Sequence, residues 1–352
     1  MKKNLKSLVL MVMLAAVLAG CGHEEGKNIK AGMAAIDQGD YEGAMTAFEE
    51  AVVRNEDMEL AYRGQGIACM GLTDYAGAVT AFEKALSHAG YVAGDLEYDI
   101  NYYLATAKYK MDDYAGAVKV LDGIIGMREK EEDAYLLRGQ AKLSMTDKKG
   151  GMADLEKALK ITEKRTDIVI DAFMIMADAG YEEDGYGYLK AALKAGEGTM
   201  SDYESGTIYY YLKDYENARN FLEKASGDKK NEKKSEDIVF MLGQTYEQLG
   251  DSNYAASLYE KYLQKDEESE KMYNQLGLCR MNAGSYDQAL AAFQAGLQLT
   301  PNDMLQTLKY NEITAYEYLG NYAQAKVLME SYIALYPDDK EAGREYSFLM
   351  TR

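Results

Sequence analysis

An all-α fold, a solenoid of about nine stacked helical hairpins closed by a C-terminal capping helix, is what the sequence predicts. Three observations carry the prediction: a recurrence every 33 to 39 residues, fixed small and large residues within each period, and only 2 prolines in 352 residues. The recurrence is marked by Ala44, Ala78, Ala117, Gly151, Gly185, Ala218, Ala255, Ala289 and Ala325. Twelve residues before these anchors stand Gly32, Gly66, Ala105, Gly139, Phe173, Gly206, Gly243, Gly277 and Ile313, small in seven of nine cases. Four residues after them stand Phe48, Phe82, Leu121, Leu155, Leu189, Leu222, Tyr259, Phe293 and Met329, each of them large and apolar. Pro301 and Pro337 both fall twelve residues past an anchor, where a helix should end.

The elements follow in order. Residues 1–20 begin with Lys2, Lys3 and Lys6 and continue into an apolar run of twelve residues, Leu8 to Ala19. That is the pattern of an export signal, too short for the roughly 20 residues of a spanning helix. Residues 21–27 make a short tether. Residues 28–225 hold repeats one to six, 226–235 a lysine-rich loop, 236–337 repeats seven to nine, and 338–352 the capping helix with Tyr346, Phe348 and Leu349. Within a repeat, small residues at the anchor and at minus twelve allow two antiparallel helices to cross closely, and the large residue one turn past the anchor fills the gap beside them. Asp40, Asp74, Asp113 and Asp214 each precede a repeat tyrosine, where a carboxylate caps the second helix. Inserted residues fall near Gly90 to Glu97 and at Ser226 to Ser235.

Period and residue classes resemble those of the tetratricopeptide repeat family over residues 25 to 340. Repeat eight is the best match, with Tyr273, Leu276, Gly277, Gly284, Tyr286, Ala289, Phe293 and Pro301 in their expected places. Repeats four and five depart most: Lys148 and Glu182 replace the tyrosine that six other repeats carry three residues before the anchor, and Phe173 replaces the small residue. These two repeats leave a bend or a related helical repeat open. The resemblance implies a right-handed solenoid whose first helices line a concave face that holds peptides or protein segments.

Leu18-Ala19-Gly20-Cys21 resembles the lipobox of bacterial lipoproteins, in which cleavage precedes the cysteine and its sulfur is lipidated. The resemblance implies lipidation at Cys21 with acyl chains such as palmitate, and a chain exported and anchored to the outer face of a bacterial membrane. Charge narrows the partners. The formal net charge is −19, and it reaches −22 once Lys2, Lys3 and Lys6 leave with the signal. Such a field repels phosphate backbones, so nucleic acid is excluded as a partner, and it favours a neutral or basic protein or peptide.

Catalytic chemistry finds no motif. With only His23 and His88, neither a histidine triad nor a three-histidine metal site can be built. His23-Glu24 lacks its second histidine at Lys27, Gly180 to Gly185 has P-loop spacing but Tyr186 in place of lysine, and the calcium-loop start at Asp251 meets Ala256 where glycine is needed. The expectation is a non-enzyme without cofactor. Cys69 and Cys279, both in first helices, read as small buried hydrophobes, with an intermolecular disulfide as the alternative.

Function is therefore expected on the first helices. Positions fifteen, eleven and eight residues before an anchor share one helical stripe. They are Tyr102, Thr106 and Tyr109 in repeat three; Tyr203, Thr207 and Tyr210 in repeat six; Phe240, Gln244 and Glu247 in repeat seven; and Tyr310, Thr314 and Glu317 in repeat nine. Asn274 and Asn311 lie on the same inner faces, without the basic pair that a carboxylate clamp requires. Tyrosines separated by small hydroxyl residues suit recognition, because each ring supplies area and a hydrogen bond at low entropic cost. Packing between neighbouring first helices is the competing use of the same rings. Two function classes follow: a lipid-anchored scaffold for envelope proteins, or a carbohydrate- or peptide-binding receptor for uptake or wall metabolism. Lys224, Lys229, Lys230, Lys233 and Lys234 form a basic island that is either a solvated insertion or a contact to an anionic polymer or lipid.

Overall fold

The computed structural model describes residues 26–90, 93–162, 165–300 and 303–352; the signal, Cys21 and Pro301 lie outside them. Among the described residues every regular element is helical. The helices pair in sequence as α1 (Lys27–Asp37) with α2 (Tyr41–Val53), α3 (Met58–Gly71) with α4 (Tyr75–Ser87), α5 (Asp95–Lys110) with α6 (Tyr114–Met127), α7 (Glu132–Ser144) with α8 (Lys148–Ile161), and α9 (Thr166–Asp178) with α10 (Glu182–Ala195). They continue as α11 (Asp202–Tyr211) with α12 (Tyr215–Gly227), α13 (Ser235–Gln248) with α14 (Ser252–Leu263), α15 (Glu270–Asn282) with α16 (Tyr286–Leu297), and α17 (Leu305–Tyr318) with α18 (Tyr322–Leu335), and end at the capping helix α19 (Lys340–Leu349). The chain divides into two compact units, Met1–Ala195 and Gly196–Arg352. The repeat spacing does not mark that boundary, which falls between repeats five and six.

Each hairpin turn is built the same way. Five residues before every anchor the backbone is left-handed, at Gly39, Thr73, Asp112, Thr146, Gly180, Lys213, Gly250, Gly284 and Gly320. This single residue reverses the chain, and the next one or two open the second helix. Asp40, Asp74 and Asp113 accept from the amides of Gly43, Gly77 and Gly116 at 2.9 Å, and Asp214 accepts from Asn217 at 3.3 Å, as the sequence predicts. Asp147, Asp251 and Asn321 add equivalent caps at 2.9, 3.0 and 3.2 Å. Each satisfies one of the donors that a helix start leaves unpaired.

Packing inside the hairpins explains the small-residue rule. The residue four past each anchor is fully buried in all nine cases. A side chain at minus twelve would collide with it: a Cβ at Gly32 would lie 2.6 Å from Phe48, at Gly66 2.3 Å from Phe82, at Gly243 2.3 Å from Tyr259, and at Gly277 2.2 Å from Phe293. In repeat five the volumes are exchanged. Phe173 occupies the minus-twelve site and Gly185 the anchor, where a Cβ would meet the Phe173 ring at 2.6 Å. Lys148 replaces the repeat-four tyrosine by lying 4.4 Å from the Tyr181 ring centroid and bonding Asp184 at 2.7 Å. Repeats four and five are thus hairpins of the same kind, held by different side chains.

The lysine-rich segment is a 3-10 turn, Lys229–Lys234, capped by Asp228 and tied back by Asn231, which donates to the Ala225 carbonyl at 3.0 Å. None of its residues is buried. Cys69 and Cys279 are buried free thiols, and burial pushes the Cys279 thiol up to about 11.

Two substitutions test these contacts. Thr73 is β-branched at φ 60°, so Thr73→Gly should remove strain of about 1–2 kcal/mol against roughly 0.4–1 kcal/mol of added unfolded-state freedom. A small net stabilisation in urea unfolding is expected. Gly277→Leu should overpack Phe293 and destabilise by about 1–3 kcal/mol, with faster hydrogen exchange in α15–α18 and unchanged exchange in α1–α6. Uniform loss of protection along the chain would contradict nearest-neighbour stacking.

Candidate ligand-binding face

The stripe on the first helices is partly spent on the fold itself. Thr106, Thr207 and Thr314 donate their hydroxyls to the carbonyls of Tyr102, Tyr203 and Tyr310, four residues back, at 2.9, 2.8 and 3.0 Å. Thr106 and Thr207 are also buried. A threonine in mid-helix finds its nearest acceptor there, so these hydroxyls are committed locally. Asn274, buried at 3% exposure, accepts from Asn311 at 2.7 Å and joins α15 to α17.

The tyrosines and Phe240 are half-buried, and Tyr102, Tyr203, Tyr210, Tyr310 and Phe240 pack against the cores of their own units. Their polar ends differ. Tyr102 directs its hydroxyl to Glu131 at 3.5 Å, and Tyr109 shares a hydrogen bond with Ser144 at 3.2 Å. Tyr210 donates to Gln244 across α11 and α13, and burial, aided by Tyr215 and Glu247, pushes its phenol up to about 12. Two aromatic faces already hold cations of this chain: Lys234 lies 4.3 Å from the Tyr203 ring centroid and Lys271 4.1 Å from that of Phe240. Tyr310 packs on Tyr332, with centroids 5.6 Å apart, in the cluster that includes Ala342 and Leu349 of the capping helix.

Two acids of the stripe meet constrained surroundings. Glu247 accepts from Tyr259 at 3.1 Å, and burial raises its carboxyl. Glu317 has a buried Oε1 without a hydrogen-bond partner among the described residues. Burial first, and then the charge of Glu345 on α19, push its carboxyl up to about 7.

In the unit Met1–Ala195, a cavity of about 220 Å³ opens at the C-terminal ends of α5, α7 and α9. Tyr109, Tyr114, Gln140, Ser144, Ile175 and Asp178 line it. Of these only Tyr109 is on the expected stripe. Gln140 occupies the same minus-eleven position in repeat four, while Ser144 and Asp178 lie seven residues before their anchors; carrying the register through repeats four and five, and one position further, would have found them. Among the described residues no group of His, Cys, Asp or Glu is placed to hold a metal ion, and no helix is long and apolar enough to cross a membrane.

Three models, each described as a tetratricopeptide repeat, match residues 29–92 and 240–303, 310–339, and 132–165 and 203–227, together more than half of the chain. Among solved structures, yeast Tom70 is 14% identical, with 92% of this chain and 80% of that chain covered at a TM-score of 0.52. A tetratricopeptide repeat protein from Parabacteroides merdae is 13% identical, with 82% of this chain and 97% of that one covered at a TM-score of 0.48. No curated protein matches the sequence.

The Glu317 site makes a pH prediction. Its carboxyl holds a proton up to about pH 7 when folded but releases it near 4.5, its ordinary value, when unfolded. The folded state therefore binds more protons between these values, so stability falls as pH rises from about 4.5 to about 7 and is level above. Glu317→Gln should flatten, though not abolish, the decline of Tm between pH 5 and pH 8, since Glu247 contributes in the same direction. An unchanged slope would show that Glu317 does not titrate there.

Proposed function

We propose, from the premise that the chain belongs to the tetratricopeptide repeat family, that it is a lipid-anchored scaffold of the bacterial envelope, holding protein or peptide segments on its first-helix faces. Proteins of this family are generally non-catalytic scaffolds for protein–protein interaction. The observation that supports the reading is made in each unit by itself: Tyr109 on α5 and Tyr210 on α11 are half-buried rings of first helices, each with its hydroxyl paired to a polar group of the next repeat, Ser144 and Gln244. Such rings offer contact area without first having to be ordered. The net charge of −19 favours a neutral or basic partner through long-range attraction.

Anchoring rests on the Leu18 to Cys21 run and the export signal before it. A single acyl chain binds membranes only marginally, so the anchor needs two or more. Cys21→Ser should yield an uncleaved or soluble species in place of a membrane-bound one. Unchanged fractionation together with a cleaved N-terminus would overturn the anchor. For the scaffold, crosslinking in intact envelopes followed by capture of this chain should recover protein partners in stoichiometric amounts. Binding on a glycan array with no protein captured would favour a carbohydrate receptor instead, with tyrosines stacked on sugar rings.

A further inference from the structure

The cavity at the ends of α5, α7 and α9 has a chemistry that selects its occupant. Two tyrosine rings, Tyr109 and Tyr114, form one wall with centroids 5.2 Å apart and planes tilted by 58°. The buried side chains of Leu143 and Ile175 close it with apolar surface. The charge in its lining is negative. Asp178 is an exposed residue of the lining, and the Asp112 carboxylate accepts the Tyr114 hydroxyl at 2.5 Å. The ends of the helices add to this: α5 stops at Lys110, α7 at Ser144 and α9 at Asp178. Three C-terminal ends, each with roughly half a negative charge from its aligned peptide dipoles, therefore converge on one opening.

No basic residue is among the described residues that line the cavity. The last turns of α5 and α7 carry Lys108, Lys110 and Lys142; Lys142 bonds Asp154 at 2.8 Å and Lys108 bonds Glu83 at 3.3 Å, while Lys148 at the start of α8 bonds Asp184 at 2.7 Å. Tyr203 and Phe240 show what such a ring takes when a cation is within reach, since each carries a lysine of this chain over its face. The volume fits one side chain. At about 220 Å³ it is smaller than the roughly 300–1,000 Å³ of a small-molecule pocket.

We propose that this cavity is a recognition pocket for a single cationic side chain, a lysine or arginine, presented by a partner segment. The cation stacks against the Tyr109 and Tyr114 rings, and its hydrogens face Asp178 and the Gln140 amide oxygen, while Leu143 and Ile175 take its methylene stem. The proposal rests on the scaffold reading above and specifies what that scaffold reads.

The pocket can be tested without knowing the partner. The full chain, with its tyrosine rings isotopically labelled, is titrated with an end-blocked Gly-Ser-Arg-Ser-Gly peptide, its lysine counterpart, and the norleucine and glutamate counterparts as controls, all at matched salt. Saturable shifts of the Tyr109 and Tyr114 ring signals are expected with arginine and lysine only. Asp178→Asn, at an exposed position, should weaken the arginine peptide about three- to fivefold, as an exposed ion pair does. Tyr109→Leu, which keeps apolar bulk but removes the ring face, should weaken it to a similar extent, with melting temperature recorded to confirm that the fold is intact. Equal response to norleucine, binding of the glutamate peptide, no saturable shift, or indifference to both substitutions would each overturn the pocket. Envelope crosslinking separates the two readings. Partners captured equally by wild type and Asp178→Asn, with no peptide response, would overturn the pocket and leave the scaffold, whereas cation-selective peptide binding with no protein captured would support the pocket and overturn the scaffold.

Discussion

One contact organises the chain: a large residue one turn past each anchor, buried against a minus-twelve site that in most repeats has no side chain. Where glycine stands, as at Gly277 beside Phe293, the ring lies against bare helix backbone, closer than any Cβ would permit. Two helices that meet so closely leave no room for water or for rotameric freedom, so each hairpin is held in one geometry. Everything else follows from repetition of that unit. Left-handed residues and aspartate caps set the turn, and within each compact unit the faces that remain pack on neighbouring hairpins.

Repeat five shows that the constraint is one of volume, not of residue identity. With Phe173 where the small residue belongs, the space is recovered by Gly185 at the anchor, and the hairpin is kept. The tetratricopeptide models leave out residues 93–131 and 166–202, repeats three and five, which form hairpins nonetheless. Repeat five departs from the residue pattern by placing its large side chain on the other helix of the crossing, whereas repeat three keeps the pattern, with Ala105, Tyr114, Ala117 and Leu121.

The same geometry decides what the first helices can offer. Positions eleven before the anchor face inward enough that Thr106 and Thr207 are buried, and these two and Thr314 turn their hydroxyls onto their own helices. The positions beside the turn, by contrast, project where three helices end together. A solenoid necessarily brings the like ends of its first helices side by side, and like ends carry like partial charges. In the unit Met1–Ala195 the result is a small cavity lined by Tyr109, Tyr114 and Asp178, on a chain of net charge −19.

The repeat register, the hairpins, four of the second-helix caps and the burial of both cysteines were legible in the sequence, because each rests on contacts within about one period. Gly277, Phe293 and Asp113 could be read from spacing alone for that reason. The stripe was legible as a set of positions but not as a set of available groups. Thr106 is spent on the Tyr102 carbonyl of its own helix, while whether Asn274 is open or joined to Asn311 and whether Glu317 meets water or Glu345 depend on atoms more than twenty residues away. The cavity was least legible, since Tyr109, Gln140, Ser144 and Asp178 come from three repeats and gather only when the hairpins stack. Sequence by itself determined the local unit and its sign of charge; tertiary structure decided which polar groups were left unspent, because hydrogen bonds and burial are allotted between neighbours in space rather than along the chain.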